Sequence, residues 1–474
     1  MVNFKKILSL FLVAAMAVGL VACAADGGGG TTTAPAGNQP AAQQPPAQGG
    51  AAETPATTGE PVTIVFWDMA TGNEQYPIAA AEHAATITYD FPNITIEYQS
   101  IPWANRLEVF LTALAANAAP DFSNGGGFQS FQFYAMGEIM DITPIIDRWR
   151  EDGTLAFYDY SMIEYFRVGD SQVGIPIGYD PRFMLYRQDW FEEAGIAMPT
   201  TWEEMFEAAV HFTDPANHVY GFASPAALAG GNVLFYTWLT SNGGGVWTND
   251  GLAPYWTRPE NVEVVEFLRR MRDAGVFPPG MSSYDSAEAI QAAIGDNAAM
   301  VLVTAGHAGS EIARTHYGRF ALMPVPAGPS ANGRQGSTIS MNAFMAYTQT
   351  AHPQETMDAL AWWATTFYRL TFMPELGIGS VPPRSDWQQD PRYLEGMGDL
   401  YLRDFILGGH MERVHTLVSP APNVVCWLTQ NAFDSERWFT RLYQAILTTD
   451  TPALQLLEEF QAEAEAVLAD FQAH

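Results

Sequence analysis

From Pro61 onward, the order of apolar and polar positions predicts alternating strands and helices. The run VTIVFWDM after Pro61 is β-branched and aromatic, which is typical of a buried strand. A helical stretch follows, and NITIEYQS at 93–100 predicts a second strand. The next stretch, NRLEVFLTALAANAAPDF, predicts an amphipathic helix that ends at Pro120. This order indicates a mostly parallel sheet covered by helices.

Two later helices are marked by local signals. In PTTWEE, threonine hydroxyls precede Trp202 and two acids follow it, as at a capped helix start, so we interpret this motif as a folding feature. The stretch from Pro452 to Gln472 predicts a helix docked on the core, with its acids in solvent. Its apolar residues at helical spacing are Leu456, Leu457, Phe460, Ala464, Val467, Leu468 and Phe471.

The first 22 residues are predicted to be a lipoprotein signal peptide. Lys5 and Lys6 precede an apolar stretch at 7–22, which is long enough for a secretory signal and short for a transmembrane helix. The sequence LVAC, ending at Cys23, resembles the lipobox of bacterial lipoproteins. That resemblance implies cleavage before Cys23 and a lipid on this cysteine.

Residues 23–60 are predicted to be a flexible linker behind the lipid. The segment is rich in Ala, Gly, Pro, Thr and Gln and has no aromatic or large aliphatic residue. Such a chain cannot bury enough apolar surface to offset the entropy lost on ordering. As a random coil, its 37 residues from Ala24 to Glu60 would span roughly 35 Å.

The charge and the cysteine count of the chain exclude several kinds of partner and site. The 474 residues include 52 Asp and Glu against 22 Lys and Arg, a net charge of −30. A field of that sign repels phosphate backbones and anionic headgroups, so neither nucleic acid nor peripheral membrane binding is expected. With only Cys23 and Cys426, the chain can build neither a disulfide framework nor a thiolate zinc site.

No catalytic motif stands out. The chain has no Gly-x-Ser-x-Gly elbow, no His-Glu-x-x-His helix and no phosphate loop. The glycine-rich stretches after Gly27 and Ser241 lack a lysine placed to hold a phosphate. No motif therefore indicates an enzyme, and no catalytic residue, cofactor or metal is expected.

Four stretches carry motifs in a characteristic order. The first, at 173–213, contains Gly174-Ile175-Pro176, Leu185-Tyr186, Asp189, Phe191, Ala194-Gly195-Ile196, Pro199, Thr201 and Trp202. The others lie at 296–310, 321–347 and 377–386. Together they resemble the family of extracellular solute-binding proteins that serve ABC importers, the group that includes maltose-binding protein. The resemblance runs from about Pro61 to the C-terminus.

The resemblance implies an α/β fold of the two-lobed periplasmic-binding-protein type (type II), with a ligand cleft between the lobes. Lobe one is expected at 61–174 plus 341–379. Lobe two is expected at 175–340 plus 380–474. The chain is expected to cross between the lobes near 175–179, 337–342 and 380–384.

Candidate ligand-binding residues follow from their places in this layout. Trp67 and Asp68 end the first strand, Asn124 follows APDF where the family's second ligand loop lies, and Tyr179, Asp180 and Arg182 lie in the inter-lobe segment. The remaining candidates are Asn232, Trp238, His307 and Trp438. Indole rings stack on the C–H faces of sugars, while amide, carboxylate and guanidinium groups bond hydroxyls. The chain departs from maltose-binding protein at Ala305-Gly306-His307, where a stacking indole is missing.

The expected function is an extracellular substrate-binding lipoprotein that captures a neutral sugar or oligosaccharide and delivers it to an ABC permease. We expect a monomer that is lipid-anchored at the outer face of the bacterial cytoplasmic membrane. A peptide or polyamine is an alternative solute, because Asp and Trp side chains also bind cations. A surface adhesin and a secreted glycoside hydrolase are alternatives from other classes.

Overall fold

The computed structural model describes residues 59–69, 74–103, 106–227, 231–304, 318–371, 373, 376, 381–396, 414–416, 429, 432–433 and 437–473. The chain divides into two units, Met1–Glu60 with His474, and Pro61–Ala473. The predicted signal peptide and almost all of the predicted linker lie outside the described residues, as do Cys23, His307 and Cys426. All that follows concerns the second unit.

The strands and helices alternate along much of the chain. The described strands are β1 (Val62–Met69), β2 (Ile94–Ile101), β3 (Phe122–Gly125), β4 (Arg167–Val168), β5 (Ser171–Gln172), β6 (Ile175–Tyr186), β7 (Tyr220–Ala223), β8 (Ala298–Thr304), β9 (Ala321–Met323), β10 (Ser337–Ala346) and β11 (Val414–Thr416). The described helices are α1 (Tyr76–Ala85), α2 (Arg106–Ala115), α3 (Gln129–Ala135), α4 (Thr143–Glu151), α5 (Tyr160–Tyr165), α6 (Gln188–Ala194), α7 (Trp202–Phe212), α8 (Gly231–Ser241), α9 (Pro259–Asp273), α10 (Ser286–Ile294), α11 (Pro353–Thr366), α12 (Tyr368–Thr371), α13 (Ser385–Gln388), α14 (Pro391–Gly396), α15 (Trp438–Thr448) and α16 (Ala453–Ala473). Short 3-10 turns lie at Thr86–Tyr89, Thr154–Phe157, Pro215–Asn217 and Met281–Ser283.

The main sheet is mixed, so the prediction of a mostly parallel sheet is wrong, because the long strands β6 and β10 run antiparallel to their main neighbours. β1 lies between β2 and β3 and runs parallel to both, as the alternation of strands and helices predicts. β10 is antiparallel to β3 and β6, and β8 is antiparallel to β6 but parallel to β7. The strand order is β2-β1-β3-β10-β6-β8-β7, with β11 beside β10 and β9 beside β6.

Two long strands are shared by the two halves of this sheet. Residues 175–181 of β6 pair with β10, whereas residues 182–186 pair with β8. β10 in turn pairs with β3 through residues 343–346. We call the part around β1–β3 lobe one and the part around β7–β9 lobe two. The residue boundaries expected for the lobes remain a prediction.

Each lobe has apolar side chains packed on both faces of its sheet. In lobe one, one cluster includes Ile64, Phe66, Ile96, Trp362 and Trp363, and the other includes Met69, Phe110, Phe133, Met345 and Tyr347. In lobe two, one cluster includes Met184, Trp202, Trp238, Trp256 and Trp438, and the other includes Leu185, Ile290 and Val301. Burial on both faces explains why β1 and β8 read as nearly continuous apolar runs.

A second contact between the lobes is made by the segment that starts at Val381. Val381 belongs to the lobe-two core, whereas Tyr158 belongs to the lobe-one core. The Arg384 guanidinium lies 5.1 Å from the ring centroid of Phe157, 5.6 Å from that of Tyr158 and 4.7 Å from that of Trp387. Asp386 accepts two hydrogen bonds from the same guanidinium, at 2.7 and 3.0 Å. This segment therefore contacts both lobes.

The C-terminal helix confirms its prediction. α16 buries Leu456, Leu457, Phe460, Ala464 and Leu468, and its acids lie on the other face. The burial follows from apolar spacing, since one stripe of a helix can face a core. Among the described residues, no helix is both long and apolar enough to cross a membrane.

The helix start at PTTWEE is also confirmed. The Thr201 hydroxyl accepts from the Glu204 backbone N–H at 3.3 Å, and the Glu204 carboxylate accepts from the Thr201 N–H at 3.2 Å. This reciprocal pair is a capping box.

Thr201→Ala is expected to lower the free energy of unfolding by about 1 kcal/mol, because the N–H of Glu204 loses its acceptor. Thr201→Ser keeps the hydroxyl and is expected to stay close to wild type. Denaturant unfolding of both variants measures the difference. Equal losses in the two variants would show that the methyl group, and not the cap, carries the effect.

Candidate ligand-binding site

The carboxyl ends of β1, β2 and β3 meet at one edge of lobe one. Parallel pairing sets Trp67 opposite Gln99 on β2 and Ser123 on β3. The sequence candidates Trp67, Asp68 and Asn124 therefore come together at this edge. Ligands of open α/β sheets bind beyond the carboxyl ends of the strands, which favours this edge as part of a binding site.

Asp68 lies inside the lobe rather than at its surface. Its carboxylate is 0 % exposed. One oxygen accepts from the hydroxyls of Tyr76 at 2.8 Å and Tyr98 at 3.0 Å, and the other accepts from the Asn124 amide. Burial raises the pKa of Asp68 to about 7, although the two tyrosine hydrogen bonds act in the opposite direction. This arrangement departs from the prediction that Asp68 contacts a ligand, because its acceptor oxygens are enclosed and occupied.

Asn124 joins the ends of β1 and β3. Its side-chain oxygen accepts from the Met69 backbone N–H, and its amide group donates to Asp68 and, at 3.3 Å, to the Met69 carbonyl. Burial is nearly complete. Asn124 is therefore also held by protein partners, which departs from the prediction of a ligand contact.

Trp67 points to the opposite face of β1 from Asp68, since successive side chains alternate along a strand. It is partly exposed and packs against the core that contains Phe110, with ring centroids 5.4 Å apart. Trp103, which follows β2, borders the same core. Of the lobe-one candidates, Trp67 therefore has a side chain that is partly exposed and can contact a solute.

Sequence reasoning missed Tyr76, Tyr98 and Arg106 at this edge. The Arg106 guanidinium lies 5.7 Å from the Trp103 ring centroid and donates to the Trp103 carbonyl at 3.3 Å. The glycine run after β3 is the sequence signal that could have indicated close packing at this edge. A Cβ at Gly126 would lie 3.2 Å from Arg106 Nε, and one at Gly127 would lie 2.6 Å from the Met341 carbonyl oxygen on β10. Close approach of other groups to this backbone requires the glycines.

The inter-lobe candidates lie on β6. Arg182 is buried and donates to the Asp180 carbonyl, and its guanidinium lies 3.7 Å from the Asp180 carboxylate, which is 25 % exposed. Tyr179 pairs with Met341 through the backbone. The side chains of Tyr179 and Asn232 lie outside what the structure describes, although Asn232 is placed in the first turn of α8.

Trp238 and Trp438 lie in the core of lobe two. Trp238 is 0 % exposed and meets the rings of Trp202, Phe222 and Phe267. Trp438 is 1 % exposed, and the Phe433 ring stacks on it at 4.6 Å. Both rings are enclosed by other side chains, so neither has a face for a solute, contrary to the sequence prediction.

A cavity of about 590 Å³ lies on lobe two, beyond the end of α8. It is lined by Gly243, Thr248, Asn249, Asp250, Tyr255, Arg258, Pro259, Glu260 and Asn332. The 11 residues of α8 separate it from Asn232 by roughly 16 Å. The cavity is therefore separated from Asn232 by the length of α8, and its lining includes none of the sequence candidates. Within the described ranges, no cluster of His, Cys, Asp and Glu could hold a metal ion.

The family described as bacterial extracellular solute-binding protein matches residues 71–366, which are 296 of the 474 residues. The chain belongs to this family. The family resemblance predicted from the four ordered motifs is thereby confirmed.

Sequence relatives agree with this assignment. A binding protein of Brucella abortus is 26 % identical over 256 residues, which cover 53 % of this chain and 61 % of that protein. A periplasmic-binding protein of an Escherichia coli ABC transporter is 32 % identical over 98 residues, or 19 % of this chain and 23 % of that protein. The matched region thus spans about 61 % of the length of the Brucella relative.

Solved structures agree over most of the chain. A sugar transporter protein of Arthrobacter chlorophenolicus, solved with laminaribiose, is 26 % identical at a TM-score of 0.75, covering 86 % of this chain and 99 % of that one. A maltose-bound protein of Thermotoga maritima is 20 % identical at a TM-score of 0.69, covering 85 % and 99 %. The predicted two-lobed α/β fold is confirmed by this similarity.

Proposed function

We propose that the protein captures a neutral saccharide between its two lobes and delivers it to an ABC permease. The similarity that carries this proposal is the match to the Arthrobacter protein with bound laminaribiose, which extends over 86 % of this chain. The lobes share β6 and β10, and a hinge motion about such strands lets a solute contact both lobes only in the closed state. Binding without catalysis is sufficient for this role.

The proposed contacts come from both lobes. The Trp67 indole at the lobe-one edge offers a flat apolar face to a sugar ring, and Asp180 offers a half-buried carboxylate to its hydroxyls. Arg182 would hold Asp180 in place from inside the strand pair. Tyr179, Asn232 and His307 remain predicted contacts.

The proposed location is the outer face of the bacterial cytoplasmic membrane. The lipobox-like LVAC sequence supports a lipid on Cys23, and the Ala-, Gly- and Pro-rich composition of 24–60 supports a flexible tether. Labelling cells with a radioactive fatty acid tests the anchor. Incorporation into wild type and not into Cys23→Ser is the expected result.

Thermal unfolding of the purified protein against saccharides, peptides and polyamines tests the function. A native-state ligand stabilises by about 2.7 kcal/mol at a hundredfold excess over its Kd. We expect the midpoint to rise with one class of saccharide, with laminaribiose and maltose as the first probes. A rise with polyamines or peptides alone would favour those solutes, and no rise with any saccharide would contradict the proposal.

Trp67→Ala is expected to weaken binding of the stabilising saccharide about tenfold, because a buried stacking face is lost. Trp67→Phe keeps an aromatic face and is expected to lose less. Trp190→Ala is the matched control, since this partly exposed indole packs on Arg187 in lobe two. Isothermal titration measures all three, and equal losses for Trp67→Ala and Trp190→Ala would contradict a specific role for Trp67.

A further inference from the structure

We propose that Asp68 is a positioning residue, which orients Asn124 and the end of β1 at the solute-binding edge without touching the solute. The inference deepens the proposed function and rests on it. Asp68 joins β1 to three other elements: it binds α1 through Tyr76, β2 through Tyr98 and β3 through Asn124.

A direct contact with solute is disfavoured by the occupancy of the carboxylate. Its three donors come from three different elements, and the group is fully buried. A solute hydroxyl could reach the enclosed oxygens only if the side chains around them moved aside. The carboxylate therefore acts on the protein around it.

The charge of Asp68 selects one orientation of the Asn124 amide. Met69 N–H needs an acceptor, and Asn124 Oδ1 provides it only when the amide nitrogen faces Asp68. An ionised carboxylate can only accept, so it rejects the flipped amide, whose oxygen would face it. A neutral amide at position 68 could donate to the flipped Asn124 and would remove this selection. Asp68 thereby holds the Met69 N–H bond that closes the end of β1 against β3.

The same arrangement couples the edge to pH. Among the described residues, the titratable groups that act on Asp68 are the hydroxyls of Tyr76 and Tyr98, and burial keeps the pKa of both tyrosines above the usual value. Burial raises the pKa of Asp68 to about 7. Below that pH the carboxyl must donate one hydrogen bond and loses the charge-assisted bond from Asn124. We therefore expect tighter solute binding by the ionised form.

The first test is the affinity of wild type and Asp68→Asn for the stabilising saccharide across pH. In wild type, affinity is expected to fall about tenfold from about pH 8.5 to about 5.5, as one charge-assisted hydrogen bond is lost. Asp68→Asn is expected to bind about tenfold more weakly than wild type at the higher pH and to show a flat profile. By linkage, wild type is expected to release protons on binding near pH 7, measured by titration calorimetry in two buffers.

Tyr98→Phe is the matched control. It removes one hydrogen bond that lowers the pKa of Asp68 and leaves the Asn124 contact in place. The midpoint of the affinity profile is therefore expected to move to higher pH. A purely structural role for Asp68 would not predict a moved midpoint.

A second readout does not need a ligand. In isotope-labelled protein, the Met69 backbone N–H and the Asn124 side-chain amide signals are expected to titrate with a common midpoint in wild type and not in Asp68→Asn. Signals that do not titrate, or a variant with the wild-type affinity profile, would overturn the positioning role. Titrating signals in a protein that binds no saccharide at any pH would overturn the proposed function alone.

Discussion

Replacing Trp238 by alanine is expected to lower the free energy of unfolding by about 3–5 kcal/mol and to leave saccharide affinity unchanged. The indole is fully enclosed by the lobe-two core, where it meets Trp202, Phe222 and Phe267. Its removal deletes a large apolar volume from surroundings that can collapse only in part. Denaturant unfolding measures the stability, and isothermal titration measures the affinity of the folded variant.

Trp238→Phe is the control, because it keeps an aromatic ring of smaller volume and removes the indole N–H. Among the described residues, the buried indole N–H of Trp238 has no hydrogen-bond partner, so phenylalanine removes an unpaired donor together with part of the ring. Its cost is therefore expected to be much smaller than that of alanine. Loss of affinity without loss of stability in Trp238→Ala would show that the ring contacts the solute, as its sequence position first predicts.

The second large effect is a pH dependence of stability in which Asp68 and His83 act with opposite signs. Because the pKa of Asp68 is raised from 3.8 to about 7, the native protein keeps a proton that the unfolded chain has released. This difference stabilises the native protein by ~4 kcal/mol below pH 3.8, the pKa of the carboxyl in the unfolded chain. The stabilisation decreases as the pH rises and is lost once the pH passes about 7.

His83 is buried beside the rings of Trp362 and Trp363. Burial, and then the charge of Arg369, lower its pKa from 6.5 to about 4. The native protein therefore binds fewer protons than the unfolded chain between these values, and stability is gained as the pH rises, by ~3 kcal/mol. In wild type the contributions of Asp68 and His83 nearly cancel up to about pH 6.5.

Asp68→Asn is expected to expose the His83 contribution. Its free energy of unfolding should rise by ~3 kcal/mol from about pH 4 to about 6.5, whereas that of wild type should change little. Denaturant unfolding at closely spaced pH values measures both profiles. Glu82→Gln, which changes an exposed carboxylate on the same helix as His83, is the control and should follow wild type. Parallel profiles for Asp68→Asn and wild type would contradict a raised pKa for Asp68.

Stability and binding are therefore expected to respond to pH in opposite directions through Asp68. Ionisation above about pH 7 costs stability, because a charge is left in an enclosed site. The same ionisation strengthens the hold on Asn124 at the proposed binding edge. A binding protein can retain a buried group that lowers its stability where the rest of a large core offsets that loss.

Local patterns were sufficient to determine the secondary structure around the site. The run VTIVFWDM becomes β1 at Val62–Met69, and the apolar stripe of the C-terminal stretch becomes the buried face of α16. The cap at Thr201 and Glu204 depends on residues three positions apart. Such features follow from chain geometry within a few residues, so the sequence alone predicts them.

The ordered motifs determined the family and the two-lobed fold, but only the tertiary structure decided which candidates have a face for a solute. Trp67 and Asp68 are neighbours in sequence, yet they point to opposite faces of β1, and Asp68 meets Tyr76 and Tyr98 from other elements. Trp238 and Trp438 are predicted as ligand contacts for the same reason as Trp67, namely an indole that could stack on a sugar. In the structure, both are enclosed by rings from distant segments. Burial of a side chain depends on what packs against it from elsewhere in the chain, and residue type and local spacing carry no information about that partner.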